Sequence, residues 1–312
     1  VAPYRRAPDA RRVTHGARDA PSSPLLRLLV TVPLAAMKLA FVKMQGLGND
    51  FVLIDNMSRR IELGTEQVRR LADRRRGIGC DQLLMVEPAQ AADAHVRARI
   101  FNQDGSEVGQ CGNGLRCLAA YLRDAGIVTG NNISIEAGRA MVRAHLGNGT
   151  AVTVDMGTPR FAPQEIPFRA DAREDSYVLQ ADSHRLELGV VSMGNPHAVM
   201  RVEDCASTPV GELGPLVQSL DEFPEGVNVG FMQVLDDAHV KLRVFERGVG
   251  ETLACGSGAC AAVAIGRVRG WLGSSVSVAL PGGELTVDWD GEGQPIWLTG
   301  PTQRSFEGIF EL

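Results

Sequence analysis

Aromatic residues are scarce in this sequence: three Trp, three Tyr and ten Phe make up 5% of 312 residues. Its cores must therefore be built mainly from Val, Leu, Ile and Ala. Cysteine is scarce as well. The six positions, Cys80, Cys111, Cys117, Cys205, Cys255 and Cys260, form no CxxC pair of the zinc type and are too few for a disulfide scaffold. A reducing, cytoplasmic compartment is the expectation. No apolar run reaches the roughly 18 residues needed to span a bilayer. The longest N-terminal candidate, Leu25 to Met37, is interrupted by Arg27 and Pro33. An excess of positive charge is missing too: 32 Lys and Arg stand against 37 Asp and Glu, a net charge of −5. With no basic stripe, nucleic acid is not an expected partner, and neither is a membrane.

What is present fits a folded chain. Hydrophobic residues at 44% and charged residues at 22% match ordinary globular proteins. The length fits two domains of about 150 residues each. Residues 1–36 differ from the rest. Arg5, Arg6, Arg11, Arg12, Arg18 and Arg27 outnumber Asp9 and Asp19, five prolines are scattered among them, and no periodicity is visible. The reading is a disordered extension, either a passive tail from an upstream start or a targeting peptide. Met37 then precedes the alternating run Lys38 to Lys43, a first strand.

The most informative feature is an internal repeat. Phe101-Asn-Gln-Asp-Gly-Ser-Glu-Val-Gly-Gln-Cys111-Gly-Asn-Gly114 recurs as Phe245-Glu-Arg-Gly-Val-Gly-Glu-Thr-Leu-Ala-Cys255-Gly-Ser-Gly258. Phe, Glu107/Glu251, Cys and both following glycines coincide at one offset, since 255 − 111 and 245 − 101 both equal 144. Gly48-Asn49 and Gly194-Asn195 match at 146, as do the positions of Gln82 and Asn228. Such a duplication predicts two similar halves facing a shared cleft, a common location for ligands. The expected division is 37–155 with 301–312, and 156–300.

Runs such as Phe51–Asp55, Val96–Phe101, Ala151–Asp155 and Val240–Phe245 read as strands between Gly, Asn and Asp turns. After each Cys-Gly-x-Gly, Leu115–Leu122 and Ala259–Ile265 are apolar nearly all round and rich in small side chains, which suits an enclosed helix. The expected fold is α/β (α+β): two pseudo-symmetric domains, each a curved, mostly antiparallel sheet around a central helix.

Each repeated cysteine stands where a helix begins. Free N–H groups there favour a thiolate and lower its pKa, and they can also hold a carboxylate. A carboxylate held on these amides sets its α-carbon beside the sulfurs, and donors aimed at its oxygens act on the charge that α-proton removal creates. One thiolate and one thiol, exchangeable by symmetry, could then invert that carbon. Cys80, Cys117, Cys205 and Cys260 read as small buried hydrophobes. A disulfide between Cys111 and Cys255 fits the same geometry, and redox state separates the two readings. Glu246-Arg247 either binds ammonium and carboxylate groups or forms a solvated strand end. Asn49, Gln82, Asn102, Asn195 and Asn228 offer amide donors and acceptors to a zwitterion or are turn residues. His197 either poises a cysteine or is structural.

These residues resemble the diaminopimelate epimerase family. The resemblance runs from Met37 to Leu312 through Gly46-Leu-Gly-Asn-Asp-Phe51, Gly79-Cys-Asp-Gln82, Phe101 to Cys117, Met193-Gly-Asn-Pro-His197, Gly226-Val-Asn228 and Glu246 to Cys260. It implies a pseudo-symmetric pair of domains and interconversion of LL- and meso-diaminopimelate without pyridoxal phosphate, metal or other cofactor. That reaction is a step toward lysine and bacterial peptidoglycan. It further implies Cys111 and Cys255 as acid/bases assisted by His197 and Glu246. Gly112, Asn113, Gly256 and Ser257 become a carboxylate cradle, and Asn49, Gln82, Asn102, Asn195, Asn228, Glu246 and Arg247 substrate ligands. A homodimer is among the assemblies open to such a chain. Two alternatives stay open: a proline or hydroxyproline racemase on the same fold, and a non-catalytic binding or redox-sensing protein.

Overall fold

A computed structural model describes residues 37–109, 111–147 and 149–312, so the N-terminal extension lies outside the described residues. Two successive segments run through the same order of elements. The first comprises β1 (Lys38–Gly46), β2 (Asn49–Asp55), α1 (Thr65–Ala72), β3 (Gln82–Pro88), β4 (Val96–Asn102), β5 (Glu107–Val108), α2 (Gly112–Asp124), β6 (Asn132–Ala137), β7 (Ala140–Leu146) and β8 (Ala151–Asp155). After β9 (Tyr177–Ala181) the second repeats it as β10 (His184–Ser192), β11 (Pro196–Arg201), α3 (Val210–Gln218), β12 (Asn228–Val234), β13 (His239–Glu246), β14 (Gly250–Thr252), α4 (Gly256–Val268), β15 (Ser275–Leu280), β16 (Gly283–Trp289) and β17 (Ile296–Pro301). β18 (Gln303–Glu311) returns to pair with β1.

Strand pairing repeats as well. β1 with β2 is antiparallel, β2 with β3 parallel, β3 with β4 antiparallel and β4 with β6 parallel. β10 with β11, β11 with β12, β12 with β13 and β13 with β15 follow the same sequence of directions. The last strands of the two segments, β8 and β17, pair antiparallel with Val154 opposite Leu298. The approximate two-fold relating the segments therefore runs through this seam, where the Thr153 and Thr299 hydroxyls share a 2.8 Å hydrogen bond.

The strands form where the sequence alternates. In β13, Val240, Leu242 and Val244 are buried while the intervening side chains face outward, and Val142, Ala144 and Leu146 repeat the pattern in β7. The two long helices obey a different rule. α2 is buried without interruption from Gly112 to Ala120, and α4 from Gly258 to Gly266. α2 packs against β1, β2, β3, β7 and β8, and α4 against β10, β11, β12, β13 and β16. Glycine and alanine let a strand approach on several sides at once, which a helix lined with large residues would prevent. This is the α+β arrangement expected from the sequence, with a long helix packed on the strands of each segment, although the strands join through the β8–β17 pair into one 18-stranded sheet and not two. None of the described helices is long and apolar enough to cross a membrane.

Candidate active site

Cys111 and Cys255 are the N-cap residues of α2 and α4, both with extended backbone (φ −151° and −119°). The two helix starts abut. The Asn113 side-chain amide donates to the Ala254 carbonyl at 3.4 Å, reaching from one segment into the turn that carries Cys255. A Cβ placed on Gly256 would lie 2.9 Å from Leu298 Cδ2 and 3.2 Å from Asn113 Oδ1, and one on Gly112 would lie 2.7 Å from Met156 Sδ. Glycine at these positions permits the close approach of the helix starts above the β8–β17 seam.

The two sulfurs have different surroundings. Cys111 Sγ accepts from the Gly114 N–H at 3.4 Å. Cys255 Sγ lies 3.7 Å from Ser257 Oγ, whose other neighbour is His197 Nε2 at 3.1 Å. His197 thus reaches Cys255 through Ser257, and its Nε2 also meets Asn195 Oδ1 at 3.0 Å. Burial, reinforced by the Arg247 charge, brings His197 down to about 3, so its ring is neutral at neutral pH. Glu246 ends β13 beside Cys255. Burial raises its carboxyl pKa, against hydrogen bonds from Thr252 and Cys255, and the Thr252 hydroxyl donates to Glu246 Oε1 at 2.5 Å.

One sequence expectation is overturned here. The net pKa values are not lowered: burial pushes Cys111 up to about 11, and burial together with the Glu246 charge pushes Cys255 well above its ordinary value. The Gly114 N–H acts in the expected direction on Cys111 but is outweighed by desolvation of the thiolate. Cys255 is only 5% exposed, whereas Cys111 is partly exposed. All six cysteines are free thiols, and Cys80, Cys117, Cys205 and Cys260 are buried as expected.

The remaining predicted ligands gather in clusters at strand ends. Gln82 begins β3 and donates from Nε2 to Asn102 Oδ1 at 2.9 Å, at the end of β4. Asn49 begins β2 and accepts from Asn113 Nδ2 at 3.3 Å. Asn228 faces His197 across the parallel β11–β12 pair; it donates to the Pro196 carbonyl at 3.0 Å and accepts from the Arg247 N–H at 3.0 Å. The Arg247 guanidinium turns to the Glu225 carbonyl at 2.5 Å. Three residues near the site escaped sequence reasoning: Thr252, which holds Glu246; Asp81, which holds Asn49; and Arg116, fully buried in α2. Thr252 and Arg116 correspond to Val108 and Cys260 in the other segment, so the repeat carried no signal. Asp81 lay beside Gln82 in a motif already singled out, and its carboxylate next to an amide ligand was the available clue.

Comparison with known proteins agrees with this layout. The family model described as diaminopimelate epimerase matches residues 41–162 and 189–305. A diaminopimelate epimerase of Alkalilimnicola ehrlichii is 52% identical over 278 residues, covering 88% of this chain and 100% of that protein. Among solved structures, a Bacillus anthracis phenazine biosynthesis protein of the PhzF family superposes with a TM-score of 0.64 at 20% identity, over 88% of this chain and 100% of that one. A hydroxyproline epimerase from Agrobacterium vitis gives 0.64 at 16% identity, over 88% and 93%. These distant likenesses carry the fold alone. The family match spans both cysteine-bearing segments and the identity extends over nearly all the described chain, and on those grounds the chain belongs to the diaminopimelate epimerase family.

Proposed function

We propose that this chain epimerises LL-diaminopimelate to meso-diaminopimelate, in lysine and bacterial peptidoglycan precursor biosynthesis, with Cys111 and Cys255 as acid and base and no cofactor. The observation that carries this reading is the meeting of two cysteine-capped helix starts over the β8–β17 seam. The substrate carboxylate sits on the N–H groups of Gly112, Asn113, Gly256 and Ser257, where the partial positive charge of both helices converges. Negative charge that develops on the carboxylate as the α-proton leaves is stabilised by those fixed donors. One sulfur, as thiolate, takes the proton; the other, as thiol, delivers one to the opposite face. Ser257 links His197 to Cys255, so the neutral imidazole holds the thiol side without adding charge. Asn49, Gln82, Asn102, Asn195, Asn228, Glu246 and Arg247 bind the rest of the zwitterion. The domain division proposed with it is 37–155 plus 301–312, and 156–300, supported by β18 pairing with β1.

The test is incubation with LL-diaminopimelate in D2O, following Cα exchange and meso product by NMR. Exchange and inversion of diaminopimelate are the expected result. Turnover of proline or hydroxyproline in its place would favour the racemase alternative, and absence of exchange at any amino acid would favour a binding protein.

A further inference from the structure

Asn49 makes two side-chain contacts of unequal character. Its Nδ2 donates to Asp81 Oδ2 at 2.7 Å, a short bond to a carboxylate, while its Oδ1 accepts the longer 3.3 Å contact from Asn113 Nδ2. A carboxylate can only accept, so the NH2 end of Asn49 must face Asp81. The carbonyl end is thereby turned toward the start of α2, where the cradle lies. Asp81 is itself tied down. Its other oxygen receives Arg74 Nη2 at 2.7 Å, and its backbone N–H donates to Asp50 Oδ1 at 2.9 Å. Arg74 grips Asp50 through both Nη atoms at 2.9 and 2.6 Å. Buried Lys43 lies 2.6 Å from the same carboxylate and also donates to the Gly79 carbonyl. Burial favours protonation of Asp50, but Arg74 and Lys43 prevail and hold it at about 2. The result is a fixed ionic lattice ending at one amide.

We infer that Asp81 is a positioning residue that locks Asn49 as a hydrogen-bond acceptor for the substrate ammonium beside the reacting carboxylate. The inference rests on the epimerase reading. The cradle supplies only N–H donors, which suit the carboxylate, so the ammonium on the same carbon needs an acceptor alongside. An unrestrained asparagine could present either end. With NH2 toward Asn113 and the ammonium, donors would face donors. Arg74 and the Lys43–Asp50 pair keep Asp81 from rotating away, and so act one step further out.

The experiment compares a ligand with ammonium groups to one without. KM for diaminopimelate and inhibition by pimelate, which lacks both ammonium groups, are measured for the unsubstituted protein, Asp81→Asn, and Asn49→Asp combined with Asp81→Asn. Asp81→Asn is expected to raise KM about tenfold, equivalent to about 1.4 kcal/mol, with kcat changing less and pimelate inhibition within about twofold of the parent. In the double variant position 49 is an acceptor whichever way it turns, and the introduced amide at 81 can donate to it. Preference for the ammonium-bearing ligand should return. Arg74→Met, at a half-exposed side chain, should lower the preference in the same direction but less. Asp81→Asn weakening both ligands equally, or a double variant no better than the single one, would overturn the inference. Failure of the unsubstituted protein to act on diaminopimelate would instead sink the epimerase reading, and the two failures are distinct.

Discussion

The two halves of the molecule share a scaffold but not an electrostatic environment. At positions equivalent by the repeat, Asn102 corresponds to Glu246, Val108 to Thr252, Asn113 to Ser257, Arg116 to Cys260 and Phe51 to His197. Phe51 packs against the start of α2, where a Cβ on Gly114 would lie 3.2 Å from its ring, whereas His197 extends a polar chain to Ser257 and Cys255. The acid, the imidazole and both hydroxyls therefore belong to the Cys255 side. A helix N–H favours the thiolate on both sides, from Gly114 for Cys111 and from Gly258 for Cys255, and the Cys111 side adds a buried arginine whose charge acts in the same direction. Duplication supplied two equivalent cysteines at equivalent helix starts, and the side chains around them differ. Burial pushes both up, Cys111 to about 11 and Cys255, with the Glu246 charge added, well above its ordinary value.

The largest effect should come from removing either sulfur. Cys111→Ala and Cys255→Ala are each expected to lower epimerisation at least about 100-fold, the usual magnitude for losing a general acid or base. The comparison sharpens in how they fail. A variant retaining one sulfur can still exchange the Cα hydrogen that faces it, so the two variants should exchange with D2O from opposite stereoisomers. Stereospecific exchange followed by NMR on both isomers is the measurement. Epimerisation near the parent rate in either variant would remove the two-sulfur mechanism.

What made this much readable in the sequence is backbone chemistry. Cys-Gly-x-Gly before an apolar, small-residue run forces a close-packed helix start, and its recurrence at an offset of 144 implies two of them. Strand alternation in Val240–Phe245 and Val96–Phe101 located β13 and β4 within two residues of their ends. Burial was not readable. Gly112 and Gly256 bring Leu298, Met156 and Asn113 close, and nothing in the spacing shows that Cys255 is buried there while Cys111 stays partly exposed. Partners distant in sequence were equally hidden: nothing in the spacing of Asn49 and Asp81 indicates a hydrogen bond across 32 positions.

A second way to separate the halves uses the residue pair Phe51 and His197. The His197 imidazole has a folded value of about 3, below the unfolded reference near 6.5. Between those values the unfolded chain binds a proton that the folded chain does not. The stabilising contribution is therefore complete above pH 6.5 and is lost as pH falls toward 3, with about 2 kcal/mol gone between pH 7 and pH 5. His197→Phe imports the first half's residue and should abolish that part of the slope, even though Asn195 and Ser257 lose a partner. Urea midpoints at pH 7 and pH 5 decide the matter; an unchanged difference between them in the variant would show that His197 is not the buried neutral group.

Glu246→Gln tests the acid that the first half lacks. The Glu246 charge opposes ionisation of both sulfurs, and it also contacts Cys255 directly. Neutralising it should speed alkylation by iodoacetamide at pH 8, by about tenfold at Cys255 for each pKa unit released. Cys111 should gain less, since only the charge acts on it. Peptide mapping of the alkylated protein gives both rates from one sample. Equal acceleration at the two sulfurs would mean that proximity of Glu246 to Cys255 is not what distinguishes them.

Arg116→Met probes the opposite charge, and its effect should be the smallest. The Arg116 side chain is fully buried, and its Nε and both Nη atoms have no hydrogen-bond partner among the described residues. Two glycines crowd it: a Cβ on Gly46 would lie 3.3 Å from Arg116 Nη2, and one on Gly300 would lie 3.2 Å from the same atom. Burial lowers its pKa, yet its charge still favours the thiolate of Cys111, while Cys117 and Cys260 also lie within its field. Methionine fills similar space without a desolvated charge, so stability should hold or rise, as for other buried ionic groups replaced by apolar ones. Cys111 would lose its positive neighbour. Its alkylation should slow by a few-fold, less than the tenfold that one pKa unit carries, with Cys255 slowed less because the Arg116 charge is not among the main influences on it. Thermal unfolding alongside the alkylation rates separates the two effects. A variant that unfolds at lower temperature would show that the guanidinium is held by interactions other than its charge on Cys111, and slowing at both sulfurs equally would place Arg116 on the axis between the halves instead of on the Cys111 side.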